Sequence, residues 1–311
     1  YSDQRHPDHV TFIPSIEEDL RRRDFTINAL AMNQTGEIID LFNGKKDIEN
    51  HLIRTVGDGK ERFMEDPLRI IRALRFSSQI GFSIEEKTKQ AMIEVKSQIE
   101  NISVERILVE FQKMFTGDEI ETAIKHFTSL KIYEYVPIFK DHPKLIEFFP
   151  KRWVPLHSFG AVITVLHYIY PKVTINQWIK AWKCSNVIKH VANHLSFALT
   201  YFTQNGLDEW LVYQLPPTLY KQFTTIVSIL FPNESVTEKM MDEIFKRLPI
   251  HEKKDLAING NDLLDLFPNF KKGKWIGNYI HTIEKKVIFG QLENNITEIK
   301  EWIRCHPPDI S

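Results

Sequence analysis

The sequence predicts a mainly α-helical protein that carries the remnant of a small α/β domain at its N-terminus. Three observations predict it. Strand-like runs are confined to residues up to about 59. Glycine is scarce, at 12 of 311 residues, which suits helices better than a large sheet or a glycine-loop fold. From residue 119 onward, apolar residues recur in helix-length stretches broken at Pro137, Pro143, Pro150, Pro171, Pro216, Pro217, Pro232, Pro249 and Pro268.

Taken in order, His9 to Ile13 alternates like a strand and is closed by Pro14. Ser15 before Ile16-Glu17-Glu18-Asp19 marks a helix start, with acids where the helix dipole favours them. Asp24 to Met32 has near-helical apolar spacing, and Asp24 is placed to cap it. Glu37 to Phe42 reads as a strand, Asn43-Gly44 as a tight turn, Lys45 to Asn50 as a helical turn and Leu52 to Val56 as a third strand. Asp66-Pro67 opens a helix that runs through Phe76 or its extension, stopped by Gly81. Ser83 to Glu86 is a near capping box for a helix over Glu85 to Val95. Ser103-Val104-Glu105-Arg106 opens another helix, whose Ile107, Leu108, Phe111, Met114 and Phe115 fit a period of 3.6 and which Gly117 stops.

Composition narrows the class. There are 40 basic and 41 acidic residues, for a net charge of -1. A bulk polycation is excluded, so any nucleic-acid contact needs local basic patches. Cys184 and Cys305 give neither a disulfide framework nor a cysteine zinc site, and they fit a reducing cytosol. No apolar run approaches the length of a membrane span, so a cytoplasmic protein without a membrane partner is expected. The opening YSDQRHPDHVTFIP reads like the middle of a domain, and an incomplete N-terminus is expected.

Several constellations carry chemistry. Arg22, Arg23, Asp24 and Asn28 combine forked donors with an i,i+4 Asp–Asn pair, suited to a triphosphate or a ribose. The same residues also read as a solvated cap neutralised by Glu17, Glu18 and Asp19. Asp66, Arg69, Arg72 and Arg75 recur every three residues and would wind as a polar stripe beside Leu68, Ile71 and Leu74. An anion, or carboxylates elsewhere in the chain, must balance these arginines. Asp66 can accept base amino protons, and Arg69 can donate to base carbonyls or ring nitrogens. An ion-pair ladder between helices is the competing reading. Asp40, Gly44 and Asp47 suit either a site edge or turn chemistry. Glu105, Arg106, Glu110 and Lys113 suit a self-paired helix as well as a support. Lys271, Lys272, Lys274, Lys285 and Lys286 stand against the single acid Glu284, with Trp275 and Tyr279 interleaved, as an RNA backbone or an ordinary lysine surface would have it. There is no P-loop, dinucleotide fingerprint, HExxH or paired-cysteine metal signature.

Together these segments resemble the class II tRNA nucleotidyltransferases, the CCA-adding enzymes of the polymerase β superfamily. RRDFTINALA (22–31), IIDLFNGKKDI (38–48), EDPLRIIRALRF (65–76) and SVERILVEFQK (103–113) resemble motifs B, C, D and E, in order. AWKCSN (181–186) resembles part of the family's body, and INGNDLL (258–264) and KWIGNYI (274–280) its tail. The resemblance implies a seahorse-like fold: a partial nucleotidyltransferase head at 1–59, a neck with a templating helix at 60–118, a body at 119–205 and a tRNA-binding tail at 206–311. It implies nucleotide contacts for Arg22, Arg23, Asp24, Asn28, Asp66, Arg69, Arg72 and Arg75. Within that set, Asp66 and Arg69 would pair with the edge of CTP or ATP, and the RRD motif would favour ribose. Asp40 and Gly44 would support the head–neck hinge, and Glu105, Arg106 and Glu110 the templating helix. The five lysines would meet tRNA.

The activity implied is addition of CMP, CMP and then AMP to the tRNA 3′ end, without a nucleic-acid template and with release of pyrophosphate. Partners would be CTP, ATP and the 3′ end, acceptor stem and elbow of tRNA, with the protein a monomer or homodimer. Motif A, with its Asp-x-Asp pair for two Mg2+ ions, is not found. Asp3 and Asp8 are five apart and cannot replace it. The expectation is therefore a metal site upstream of Tyr1, with no catalytic carboxylate or metal ligand in this chain. A noncatalytic tRNA-binding fragment and CC-adding or A-adding relatives stay open. The near-neutral pI of about 6.9 speaks against a poly(A) polymerase.

Overall fold

The computed structural model describes residues 15–308. The expected strand at His9–Ile13, and Asp3 and Asp8, lie outside them. The chain divides into two compact units between Lys189 and His190.

The first unit opens with α1 (Ile16–Arg21), where the Ser15 hydroxyl accepts from the Glu17 N–H and three acids occupy the first turn. The helix expected over 24–32 does not form. A short 3₁₀ turn at Thr26–Asn28 leads into β1 (Leu30–Met32), which pairs antiparallel with β2 (Ile38–Asp40). The reason is tertiary. The Thr26 N–H donates to the Arg54 carbonyl at 2.9 Å, and the Val56 N–H donates to the Asp24 carbonyl at 3.1 Å. Residues 24–26 are thus hydrogen-bonded as an extended segment against 54–56, and that pairing overrides an intrinsic preference worth only tenths of a kcal/mol per residue, on the order of 0.5.

Next come α2 (Gly44–Glu49), β3 (Leu52–Ile53) and α3 (Gly59–Glu65), which the sequence reading did not anticipate. Its N-cap is Asp58, whose carboxylate accepts from the Glu61 N–H at 2.9 Å. Then α4 (Leu68–Ile80) ends at Gly81, which has φ +71°. The near capping box at Ser83 is displaced. Ser83–Ile84 forms β4, parallel to β3, and Glu85 caps α5 (Glu86–Val95) instead.

Helix α4 packs against α6 (Val104–Phe115) and α7 (Ile120–Ser129), and its apolar residues Leu68, Ile71 and Leu74 are buried. All five apolar residues expected on α6 are buried. Gly117 permits this packing. A Cβ there would stand 2.2 Å from the Ser78 Oγ and 2.5 Å from its carbonyl. Beyond follow α8 (Phe159–Ile169) and α9 (Ile175–Ala181). Phe111, Phe115, Phe139, Phe149 and Phe159 make an aromatic core with Trp153, Trp178 and Trp182. Phe111 and Phe159 each lie 5.1 Å from Trp182, and Phe139 lies 5.7 Å from Trp178.

The division falls inside α10 (Asn186–Asn205). The second unit continues with α11 (Glu209–Gln214), α12 (Tyr220–Leu230), α13 (Glu238–Arg247), α14 (Gly260–Leu266), α15 (Lys274–Ile288) and α16 (Ile296–Cys305). Leu195, Leu199, Phe223, Ile226, Ile283, Val287 and Ile299 form its core. The prolines named as breakers all fall outside the α-helices. Among the described residues no helix is long and apolar enough to cross a membrane.

Candidate functional site

A cleft of about 620 Å³ in the first unit is lined by Arg23, Asp24, Asn28, Asp66, Leu68, Arg69, Arg72, Phe76 and Arg106. Three segments build it: the turn after α1, the start and middle of α4, and the first turn of α6. Four guanidinium groups and two carboxylates line it; Arg72 and Arg106 pair with Asp24 and Asp66, and Arg23 and Arg69 pair with Asp19 and Glu65 outside the lining. Guanidinium groups in this number suit recognition of phosphate once a ligand competes for those pairs.

The turn after α1 is held from two sides. Buried Asp24 uses one oxygen for the Phe25 N–H at 2.8 Å and the Asn28 amide at 3.1 Å, and the other for the Arg72 Nε at 2.7 Å. The expected Asp24–Asn28 contact therefore exists, but across a 3₁₀ turn rather than along a helix. Arg23 donates to the Asn28 carbonyl at 2.7 Å and to Asp19 at 3.0 Å. Hydrogen bonds from Arg22 and then Arg23 hold the Asp19 carboxyl below the usual range against the opposing effect of desolvation. Arg22 pairs with Asp19 at 2.7 Å and does not line the cleft.

At the start of α4, Asp66 is extended (φ -149°, ψ 98°). Its Oδ1 accepts from the Leu68 N–H at 3.2 Å, and its Oδ2 accepts from Arg106 at 2.9 Å. Arg69 donates from Nη1 to the Arg62 carbonyl and to Glu65, each at 2.9 Å, and from Nη2 to the Arg22 carbonyl at 3.0 Å. Among the described residues these contacts use three of its five N–H groups. Two donors remain for a ligand edge.

Arg75 is not in the lining. It is buried, with its Nε 3.2 Å from Glu110 and its guanidinium 4.1 Å from the centre of the Phe76 ring. Burial lowers its pKa, opposed by the Glu110 charge. Glu110 also lies 3.8 Å from Arg72, so it stands behind the cleft as a counter-charge. Glu105 pairs with Lys183 at 2.9 Å. Asp40 caps α2, accepting from the N–H groups of Gly44 at 2.8 Å and Lys45 at 3.0 Å. Burial pushes its pKa up, but these backbone donors outweigh burial and hold it low. Gly44 is required by a close approach, since a Cβ there would lie 2.3 Å from the Thr26 carbonyl oxygen.

Some contributors were not singled out from the sequence. Phe76 floors the cleft, with its ring edge-on to Phe25 at 5.8 Å. Arg62 donates to the Arg21 carbonyl at 3.3 Å and pairs with Glu65 at 3.0 Å. The D-x-x-E spacing of Asp58 and Glu61 was the available signal for the helix that carries it. Asp47, named from the sequence with Asp40 and Gly44, accepts from the Thr26 hydroxyl at 2.7 Å and pairs with Arg54 at 3.1 Å behind the turn.

In the second unit, Lys274, Lys285 and Lys286 lie on α15, with Lys271 and Lys272 just before it. Lys271, Lys272, Lys274 and Lys285 are exposed. The Lys285 Nζ sits 5.8 Å from the Trp210 ring, and the Lys286 Nζ sits 5.5 Å from the Trp302 ring. Glu284, the one acid nearby in sequence, is buried and accepts from the Tyr213 hydroxyl. The lysine charges are thus left facing solvent.

Comparison with known proteins gives the family. Residues 1–54 match the poly A polymerase head domain, 81–142 the probable RNA and SrmB-binding site of polymerase A, and 156–303 the putative tRNA nucleotidyltransferase domain 2. The class defined is a nucleotidyltransferase. The CCA-adding enzyme of Oceanobacillus iheyensis is 43% identical over 99% of this chain and 77% of its own length. That of Enterococcus faecalis is 39% identical over 94% of this chain and 72% of its own. The crystal structure of the Bacillus stearothermophilus CCA-adding enzyme in complex with CTP is similar at 29% identity and a TM-score of 0.84, over 94% of this chain and 75% of that one. The chain belongs to the CCA-adding enzymes, a family of tRNA nucleotidyltransferases.

Proposed function

We propose that the first-unit cleft binds CTP or ATP, that Asp66 and Arg69 read the base, and that the chain adds C, C and A to the 3′ end of tRNA with release of pyrophosphate. One observation carries the base-reading step. An acceptor, Asp66, and a donor, Arg69, stand three residues apart in a cleft whose other polar lining is Arg23, Asp24, Asn28, Arg72 and Arg106. Cytosine and adenine share an edge in which an exocyclic amino donor sits beside a ring-nitrogen acceptor. Uracil and guanine reverse that order, with a carbonyl beside an N–H. An acceptor next to a donor therefore complements the first pair. It meets the second with two mismatches, each leaving a polar group unpaired.

Arg23, Arg72 and Asn28 are assigned to the sugar and phosphates, with Arg22 at the rim. Asp24, Arg75, Glu105 and Glu110 are assigned to holding that arrangement, and Asp40 with Gly44 to docking α2 against the turn. The neck assignment, 60–118, then contains the base-reading helix. The lysines at 271–286 are assigned to the tRNA backbone, and the cytoplasm is the proposed setting.

The family works with a divalent metal. Magnesium is the ion proposed, on the preference of phosphate oxygens for it. Among the described residues no group of three or more His, Cys, Asp or Glu side chains is placed to hold a metal. No metal-bound step is therefore assigned to these residues.

The test is incorporation from each of the four labelled triphosphates into tRNA lacking its 3′ CCA, alongside tRNA binding. With the family's metal-binding Asp-x-Asp segment in place, the protein should incorporate C and A. Asp66→Ala and Arg69→Ala should lose the preference for C and A over U and G by at least about tenfold while binding tRNA normally. An Arg69→Ala protein with unchanged base preference would overturn the reading.

A further inference from the structure

The sequence holds three Asn-Gly pairs, Asn43-Gly44, Asn205-Gly206 and Asn259-Gly260. An asparagine in this setting is prone to lose its amide spontaneously, because glycine has no side chain to shield its own nitrogen. All three asparagines are exposed, so exposure does not separate them. Their hydrogen bonds do.

The Gly44 N–H donates to the Asp40 Oδ1 at 2.8 Å, and Asn43 stands in a left-handed conformation with φ 60°. The Gly206 N–H donates to the Phe202 carbonyl at 2.8 Å, and the Asn205 Nδ2 donates to the Tyr201 carbonyl at 3.1 Å. At both places the glycine nitrogen is occupied. Asn259 differs in two respects. Among the described residues the Gly260 N–H has no hydrogen-bond acceptor. The Asn259 Oδ1, in turn, accepts from the N–H groups of Asn261 at 2.8 Å and Asp262 at 3.4 Å.

We propose that Asn259 is a modification site, where the chain loses ammonia spontaneously and passes through a succinimide to aspartate and isoaspartate. The Gly260 nitrogen gives up its proton to solvent and attacks the Asn259 Cγ. A bond forms between that nitrogen and Cγ, the bond from Cγ to Nδ2 breaks, and Nδ2 takes up a proton and leaves as ammonia. Water then opens the ring at either carbonyl. One water is consumed and one ammonia released, with no oxidant or reductant. During the attack Oδ1 gathers negative charge, and the two N–H groups already aimed at it stabilise that charge. The contacts that cap α14 thus favour its modification.

Opening to aspartate leaves the cap in place. Opening to isoaspartate adds a main-chain carbon at the start of α14, where a Cβ on Gly260 would already lie 3.2 Å from the Ile276 Cγ2 of α15. Isoaspartate therefore loosens α14 from the lysine-bearing helix. Its effect on tRNA binding rests on the role proposed above for those lysines; the loss of ammonia does not.

The whole protein would be aged in warm, mildly alkaline buffer, with peptide mapping by mass spectrometry and enzymatic methylation of isoaspartate at each pair. Asn259 should react at least about tenfold faster than Asn43 and Asn205, the factor that one freed hydrogen-bonded nitrogen gives. In denaturant the three rates should converge. Asp40→Ala should speed the reaction at Asn43 by about tenfold and leave the other two unchanged. If Asn205 speeds up as well, the variant has loosened the chain, and Asp40→Asn decides by the same comparison. Equal or slower loss at Asn259 in the folded protein would overturn the proposal. A lead that persists in denaturant would overturn it too, since the neighbouring residues and not the fold would then set it. So would an Asn43 rate unmoved when Asp40 is replaced. Separated isoaspartate protein should bind tRNA more weakly than wild type, and Asn259→Asp as wild type does. Equal binding by all three would overturn the consequence for α15 while the modification stands on its rates.

Discussion

Gly44 shows how much a single residue does in this site. Its α-carbon faces the Thr26 carbonyl so closely that a methyl group would come within 2.3 Å of that oxygen. The approach lets α2 back directly onto the 3₁₀ turn, where Asp47 holds the Thr26 hydroxyl. Gly44→Ala must push the turn away. It should destabilise the first unit by about 1–3 kcal/mol, read by denaturant unfolding, and weaken nucleotide binding with it. Unchanged stability would mean that the contact relaxes freely. In the sequence, Asn43-Gly44 was legible as a turn. The close approach was not, because its partner lies 18 positions upstream. Asp40 was likewise legible as turn chemistry, and it caps α2.

At the scale of elements, the geometry proposed to read the base comes from the winding of α4. Residues three apart fall about 60° short of a full turn, so Arg75 lies about 120° round from Arg69. Arg69 and Arg72 therefore line the cleft, and Arg75 turns inward to Glu110 on α6. The sequence offered two readings of this stripe, a ligand-facing row and an ion-pair ladder. Ion pairs run along the whole stripe, Arg69 to Glu65, Arg72 to Asp24 and Arg75 to Glu110, and the ligand-facing role is the one proposed for Arg69 and Arg72, which line the cleft. Glu110→Ala would leave the buried Arg75 facing no carboxylate across α4 and α6, and should cost about 3–5 kcal/mol in thermal or denaturant unfolding. A loss below about 1 kcal/mol would show that Arg75 is not balanced by Glu110. The helical segments with a clear 3.6 period, α4 and α6, were legible. The segment over 24–32 was not, because its form is set by hydrogen bonds to 54–56 that no local pattern records.

At the scale of the whole molecule, each unit carries one of the two candidate surfaces. The first unit brings three sequence-distant segments to one cleft, and the second presents lysines beside aromatic rings on α15. The mainly helical class and the proline-set breaks were legible along the entire chain, since they follow from composition and period. Which residues would share the cleft was legible only through family resemblance. Distances such as Asp66 to Arg106, 40 positions apart, had no signal in spacing. The account stands or falls on the base edge. Its most direct measurement is a crystal structure of the protein with CTP bound. The account predicts the cytosine amino group against the Asp66 carboxylate and the ring nitrogen against Arg69, with Arg106 still on Asp66. A cytosine placed away from both residues, with Arg69 still tied to Glu65 and the Arg22 carbonyl, would contradict it.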